Sequence, residues 1–80
     1  MTRLENWTLM ARTDIYGNQY KKLIGNVYGH PRANEETGEL CDGNNIITSR
    51  IIKLDLDSGI AITKTGTTYY LGSKNTVNNI

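Results

Sequence analysis

His30 and Cys41 are the one histidine and the one cysteine of this 80-residue chain, and both fall in its longest irregular segment, residues 29–45. A histidine beside a cysteine is the pair that a thiol enzyme uses as base and nucleophile. Such chemistry also needs an activated thiolate, an oriented base and an oxyanion site. A single loop of a small domain does not supply all three, so the pair reads as a turn histidine and a small half-buried thiol. We expect no catalytic residues and no enzyme. A metal centre would have to combine His30 and Cys41 with carboxylates such as Glu36 or Asp42. The chain has no C-x-x-C and no second histidine, and structural zinc takes four nitrogen or sulfur ligands. No metal is expected. The glycines are scattered at turn positions and form neither a phosphate loop nor a dinucleotide fingerprint, so no cofactor is expected either.

The elements around that loop read as β throughout. Residues 44–73 organise the chain as three strands and two tight turns. Residues 46–56 hold Ile46, Ile47, Thr48, Ile51 and Ile52, β-branched side chains that suit a pleated surface. Both faces are apolar near Ile46-Ile47 and Ile51-Ile52, which implies a bend, a bulge or cover on two sides. Gly59 and Gly66 then mark turns ahead of strands at residues 60–64 and 67–71. Upstream, residues 7–16 and 19–28 alternate as a hairpin around Gly17-Asn18. Gly25 inside the return strand marks a bulge or corner. Residues 1–6 are polar and are expected to be only partly ordered. The tail, residues 74–80, is expected to fray.

These spacings predict one all-β domain over residues 1–80: five antiparallel strands in a small SH3-like barrel or a strongly bent sheet. Its expected core is Leu9, Leu23, Val27, Ile52, Leu54, Ile62 and Leu71.

Charge narrows the function classes. Nine basic and eight acidic residues give a net charge of +1. That balance argues neither for an electrostatically driven nucleic-acid binder nor for an acidic DNA mimic. One cysteine cannot form an internal disulfide, which fits a reducing cytosol, and no apolar run is long enough to span a bilayer. The chain reads as cytoplasmic, with no membrane partner. Nucleic acid is the alternative partner. Small β-barrels bind single strands with aromatics interleaved among basic residues, and Tyr16, Tyr20, Lys21, Lys22, Tyr28, Arg32, Arg50, Lys53, Lys64 and Tyr70 are the candidates. The loop itself is acidic, with Glu35, Glu36, Glu39 and Asp42, which suits a protein partner that carries a basic patch.

Val27-Tyr28-Gly29-His30-Pro31-Arg32, then Asp42-Gly43, Ile46, Thr48-Ser49, Ile51, Thr63, Tyr69 and Leu71-Gly72, resemble small proteins of phages and prophages. In size and style the chain is similar to phage-borne inhibitors of host defence, including anti-CRISPR proteins. The resemblance implies a protein that occupies a surface of a host protein or ribonucleoprotein complex in the bacterial cytoplasm. A structural or assembly protein of a mobile element is the third reading. On the residues themselves, loops on rigid scaffolds carry function and Tyr and Arg are favoured interface anchors. The expected binding site is therefore the loop with its adjoining strands: Tyr28, His30, Arg32, Glu35, Glu36 and Arg50.

Overall fold

The computed structural model describes residues 1–75. Among these residues there are six strands: β1 (Thr2–Thr13), β2 (Gln19–Tyr28), β3 (Asn45–Ile47), β4 (Ile51–Asp55), β5 (Ile60–Thr63) and β6 (Thr68–Leu71). They form one sheet in the order β3-β2-β1-β6-β5-β4. No helix among the described residues is long and apolar enough to cross a membrane.

The all-β expectation holds, and β2 has the bounds that alternation gives it. The five-stranded antiparallel barrel does not hold: the sheet is open, has six strands and is mixed. β1 lies antiparallel to β2 but parallel to β6, with Thr2, Arg3 and Leu4 opposite Tyr69, Tyr70 and Leu71. This pairing also explains why β1 begins at Thr2 rather than at Trp7. Thr2 and Leu4 turn to the buried face while Arg3 stays exposed. The polar opening is ordered because a strand from the far end of the chain closes on it.

The run 46–56 is two strands rather than one. It breaks at Thr48, whose N–H donates to the Leu23 carbonyl at 2.8 Å. The Thr48 hydroxyl accepts the Leu23 N–H at 3.0 Å and donates to the Ser49 carbonyl at 2.9 Å. β3 and β4 therefore lie on opposite edges of the sheet although residues 48–50 are all that separates them. So short a connection forces the sheet to curl, and β4 returns into contact with β2.

A second source of curvature sits in β1. Between Glu5 and Thr8 the register shifts, so that Asn6 and Trp7 oppose Gly25 alone. Asn6 takes φ +53°, the left-handed conformation that asparagine tolerates better than most residues. A Cβ on Gly25 would meet Leu4 Cγ at 2.8 Å and the Glu5 carbonyl at 2.9 Å, so only glycine lets the strands coil this tightly. The bend expected at Gly25 is present, with the extra residue on the facing strand.

The β1–β2 connection is longer than a two-residue turn. The Gly17 N–H donates to the Asp14 carbonyl, and the Asp14 N–H to that of Asn18. Gly17 has φ +83°. This is a three-residue loop, a turn followed by a left-handed glycine. The Asp14 carboxylate fastens it by accepting the Tyr16 and Asn18 N–H groups, each at 2.9 Å.

The buried apolar core is Leu4, Trp7, Leu23, Val27, Ala61 and Tyr69, with Leu9, Ile46, Ile51, Leu54 and Leu71 packed partly against it. Leu23 and Val27 are core as expected. Leu9, Leu54 and Leu71 lie at its rim, and Ile62 is only partly buried. Ile52 is not core: it is 64% exposed. It sits where the β4–β5 register shifts, on an edge strand whose covered face is taken by Ile51 and Leu54. The tail departs from expectation too. Lys74 bridges to Trp7, and the Asn75 N–H donates to the Trp7 carbonyl at 2.8 Å. The remaining tail residues, 76–80, lie outside the described residues.

Candidate functional site

The long loop leaves β2 at Gly29, whose φ of +70° aims the chain across the end of the sheet. Gly29 is held from two sides. Its N–H donates to Asp42 Oδ1 at 2.8 Å, and its carbonyl accepts the Thr2 hydroxyl at 3.3 Å. The returning limb is tied to β2, where the Gly43 N–H donates to the Val27 carbonyl and the Val27 N–H to that of Asn44. Asn26 Nδ2 donates to the Gly43 carbonyl at 3.0 Å.

The tip has its own closure. The Asn34 N–H donates to the Glu39 carbonyl at 2.9 Å, and the Gly38 N–H to the Asn34 carbonyl at 2.8 Å. Asn34 Oδ1 accepts the Glu36 N–H. Side-chain oxygens of Asn in this role replace a backbone turn, as short polar side chains commonly do. Glu35, Glu36, Glu39 and Asp42 are all exposed on this frame. The result is an ordered acidic protrusion.

Five of the six expected site residues come together here, but not all as contact residues. Glu35, Glu36 and Arg32 are exposed. Tyr28 is half-buried beneath Arg3, whose guanidinium carbon lies 4.9 Å from the ring centroid. His30 is 7% exposed, with its ring centroid 6.1 Å from that of Tyr69. It accepts the Arg32 N–H on Nδ1 at 3.0 Å. His30 is thus the peg on which the loop hangs, not a surface group. Nothing in the sequence distinguishes a buried turn histidine from an exposed one.

Arg50 belongs elsewhere. Its guanidinium carbon sits 4.2 Å above the Tyr20 ring, at the opposite end of β2 from Tyr28. The strand leaving the loop carries Arg50 along β2 and away from the acidic tip. There Gln19, Tyr20 and Lys21 of β2 face Ile51, Ile52, Lys53 and Leu54 of β4 across an open groove. The acidic tip and the Arg50–Tyr20 contact therefore lie at opposite ends of β2.

The groups considered for chemistry are engaged separately. His30 spends its acceptor nitrogen on Arg32, while the Cys41 thiol donates to the Asn34 carbonyl at 3.4 Å. Burial, and then the charge of Arg32, hold the His30 pKa below its ordinary value of 6.5. The folded state therefore binds this proton less readily than the unfolded chain. That contribution to stability is complete above pH 6.5, falls as pH drops towards the depressed folded value, and is flat below it. Glu5, Asp14 and Asp55 act at lower pH. Hydrogen bonds from Ser73, Asn18 and Ser58 respectively hold their pKa values below the ordinary 4.5 and 3.8. We expect thermal melts to show an upper step of destabilisation just below pH 6.5 that His30→Gln abolishes, leaving the acid step in place. An unchanged upper step in the variant would assign it to other groups.

No known protein family matches the chain, and no curated protein or solved structure is significantly similar to it.

Proposed function

We propose that this chain is a non-enzymatic binding protein that places the acidic tip, residues 34–42, on a basic surface of a larger partner. In this reading it works as phage-borne inhibitors of host defence do, by occupying a surface of a protein or ribonucleoprotein complex in the bacterial cytoplasm. The observation that carries the proposal is the way the tip is built. Main-chain bonds close it internally, Asp42 and Gly43 tie it to β2, and its glutamates point into solvent. A loop ordered before binding loses less entropy when it docks. Clustered charge at an exposed rim raises association rates more than it lengthens residence. Arg32, exposed beside the tip, is the anchor of the type that interfaces favour.

The test is kinetic. With a partner captured from host lysate and then purified, the double variant Glu35→Lys, Glu36→Lys is expected to associate several-fold more slowly. The deficit should be greatest at low salt, with little change in dissociation. Arg32→Ala is expected to cost about 2 kcal/mol of binding free energy. Parent-like association by the glutamate variant would remove the acidic tip from the interface. Binding to free single-stranded nucleic acid that falls steeply with salt and is lost in Lys21→Ala, Lys53→Ala would put the nucleic-acid reading in its place.

A further inference from the structure

β3 is an edge of the sheet, and among the described residues it contacts no strand other than β2. The bonds around it decide which of its main-chain groups are spare. The Thr48 N–H donates to the Leu23 carbonyl at 2.8 Å, and the Val27 N–H to the Asn44 carbonyl at 3.0 Å. Ile46, opposite Gly25, lies two residues from both Thr48 and Asn44, so in the alternating antiparallel pattern it also bonds inward. The N–H and C=O groups of Asn45 and Ile47 therefore point away from β2, and no described residue bonds them. An unpaired row of this kind is a template for an added strand. Glu39 and Leu40 wall an open groove along Asn44, Asn45, Ile46 and Ile47. Ile47 is 58% exposed, and Leu40 and Ile46 are half-buried. The wall is fixed to this edge: Glu39 bridges to Asn34, and the Asn44 side-chain amide donates to the Gly38 carbonyl.

We infer that the outer edge of β3 takes an extended segment of the partner protein as a further strand, with basic residues of that segment beside Glu39 and apolar ones beside Leu40 and Ile47. The inference rests on the reading above that the acidic tip meets a basic partner, and it names the part of that partner that is held. Strand addition draws affinity from main-chain bonds and specificity from alternate side chains. Asn45 and Ile47 supply the first, and the groove supplies the second. Charge selects the occupant. Glu39 lines the groove, Glu35 and Glu36 stand exposed on the same tip, and no residue lining the groove is basic. An acidic strand or a nucleic-acid backbone would meet like charge there, whereas lysine or arginine finds its complement. β3 is three residues long, so the isolated segment binds weakly and the tip adds to its hold.

The probe is a short capped peptide of alternating lysine and valine at millimolar concentration. In its presence the Asn45 and Ile47 amide protons are expected to exchange with solvent several-fold more slowly, while a glutamate–valine peptide leaves them unchanged. A chemically synthesised chain with an N-methyl group on Ile47 loses that outward donor but keeps the inward bonds of Ile46. It should bind the probe roughly tenfold more weakly. Thermal melts check that it is folded, and Glu39→Lys gives a second loss at an exposed side chain without touching the edge. Probe binding that survives the N-methyl group but is lost in Glu35→Lys, Glu36→Lys overturns the inference and leaves the tip alone as the binder of basic segments. Protection of the two amides that rises with protein concentration alone overturns it in favour of a second copy. Unchanged exchange with the lysine–valine peptide overturns it outright, while the association rate of the glutamate variant on the whole partner still judges the tip.

Discussion

Trp7→Ala is expected to cost about 3–5 kcal/mol, the usual range for emptying a buried aromatic site. Domains of ordinary size have roughly 5–15 kcal/mol of stability, so this change would remove most of it in a chain of this size. The indole does more than fill space. It is 8% exposed, and its Nε1–H donates to the Gly72 carbonyl at 3.0 Å. The Trp7 main chain extends the same seam, donating to the Ser73 carbonyl at 3.2 Å and accepting the Asn75 N–H at 2.8 Å. Lys74 lies over the ring with Nζ 5.6 Å from its centroid. Glu5 adds to the seam by accepting the Ser73 N–H at 2.8 Å and the Ser73 hydroxyl at 3.0 Å. Loss of the indole therefore both opens a cavity and releases the segment after β6 from β1. Trp7→Phe separates the two effects. It keeps an aromatic ring but leaves the Gly72 carbonyl without that donor, and should cost about 1 kcal/mol plus a repacking increment. Urea denaturation measures both. A loss below about 1 kcal/mol for the alanine variant would show that the seam is not structural.

Leu4→Ala should be comparably severe, at about 2–5 kcal/mol, and Ile52→Ala should stay within about 0.5 kcal/mol of the parent. The contrast follows from place rather than from residue type. Leu4 is fully buried on β1, the strand that holds β2 on one side and β6 on the other. Its Cγ lies so close to Gly25 that no Cβ fits there. Gly25 offers no side chain to move into the void, and large-to-small costs rise with the cavity left behind. Ile52, two-thirds exposed on the edge, leaves no cavity. Denaturation of both variants under one set of conditions checks the pair. A Leu4→Ala cost no larger than that of Ile52→Ala would mean that β1 does not organise the core.

What was legible in the sequence was local. Alternation of Leu23 and Val27 placed β2 and its buried face, because period two is a property of the strand itself. Gly17, Gly59 and Gly66 marked the turns, and each has a positive φ. The glutamates of the loop were legible as a solvent-facing acidic cluster, because charged side chains stay in water unless paired. Contacts between distant parts of the chain decided the rest. Residues 1–6 look unanchored until β6 arrives alongside them, a pairing that spans nearly the whole chain and has no local signature. Ile52 and Leu54 are equally apolar in sequence. The register shift and the edge position expose Ile52, while Leu54 packs partly against the core. His30 is buried because the loop folds it towards Tyr69, and Arg50 leaves the acidic site because the break at Thr48 steers its strand past Tyr20. Patterning determines which face of a strand is apolar. Which strands meet, and so which apolar positions are covered, is determined only when backbone pairing and burial are satisfied across the whole sheet at once.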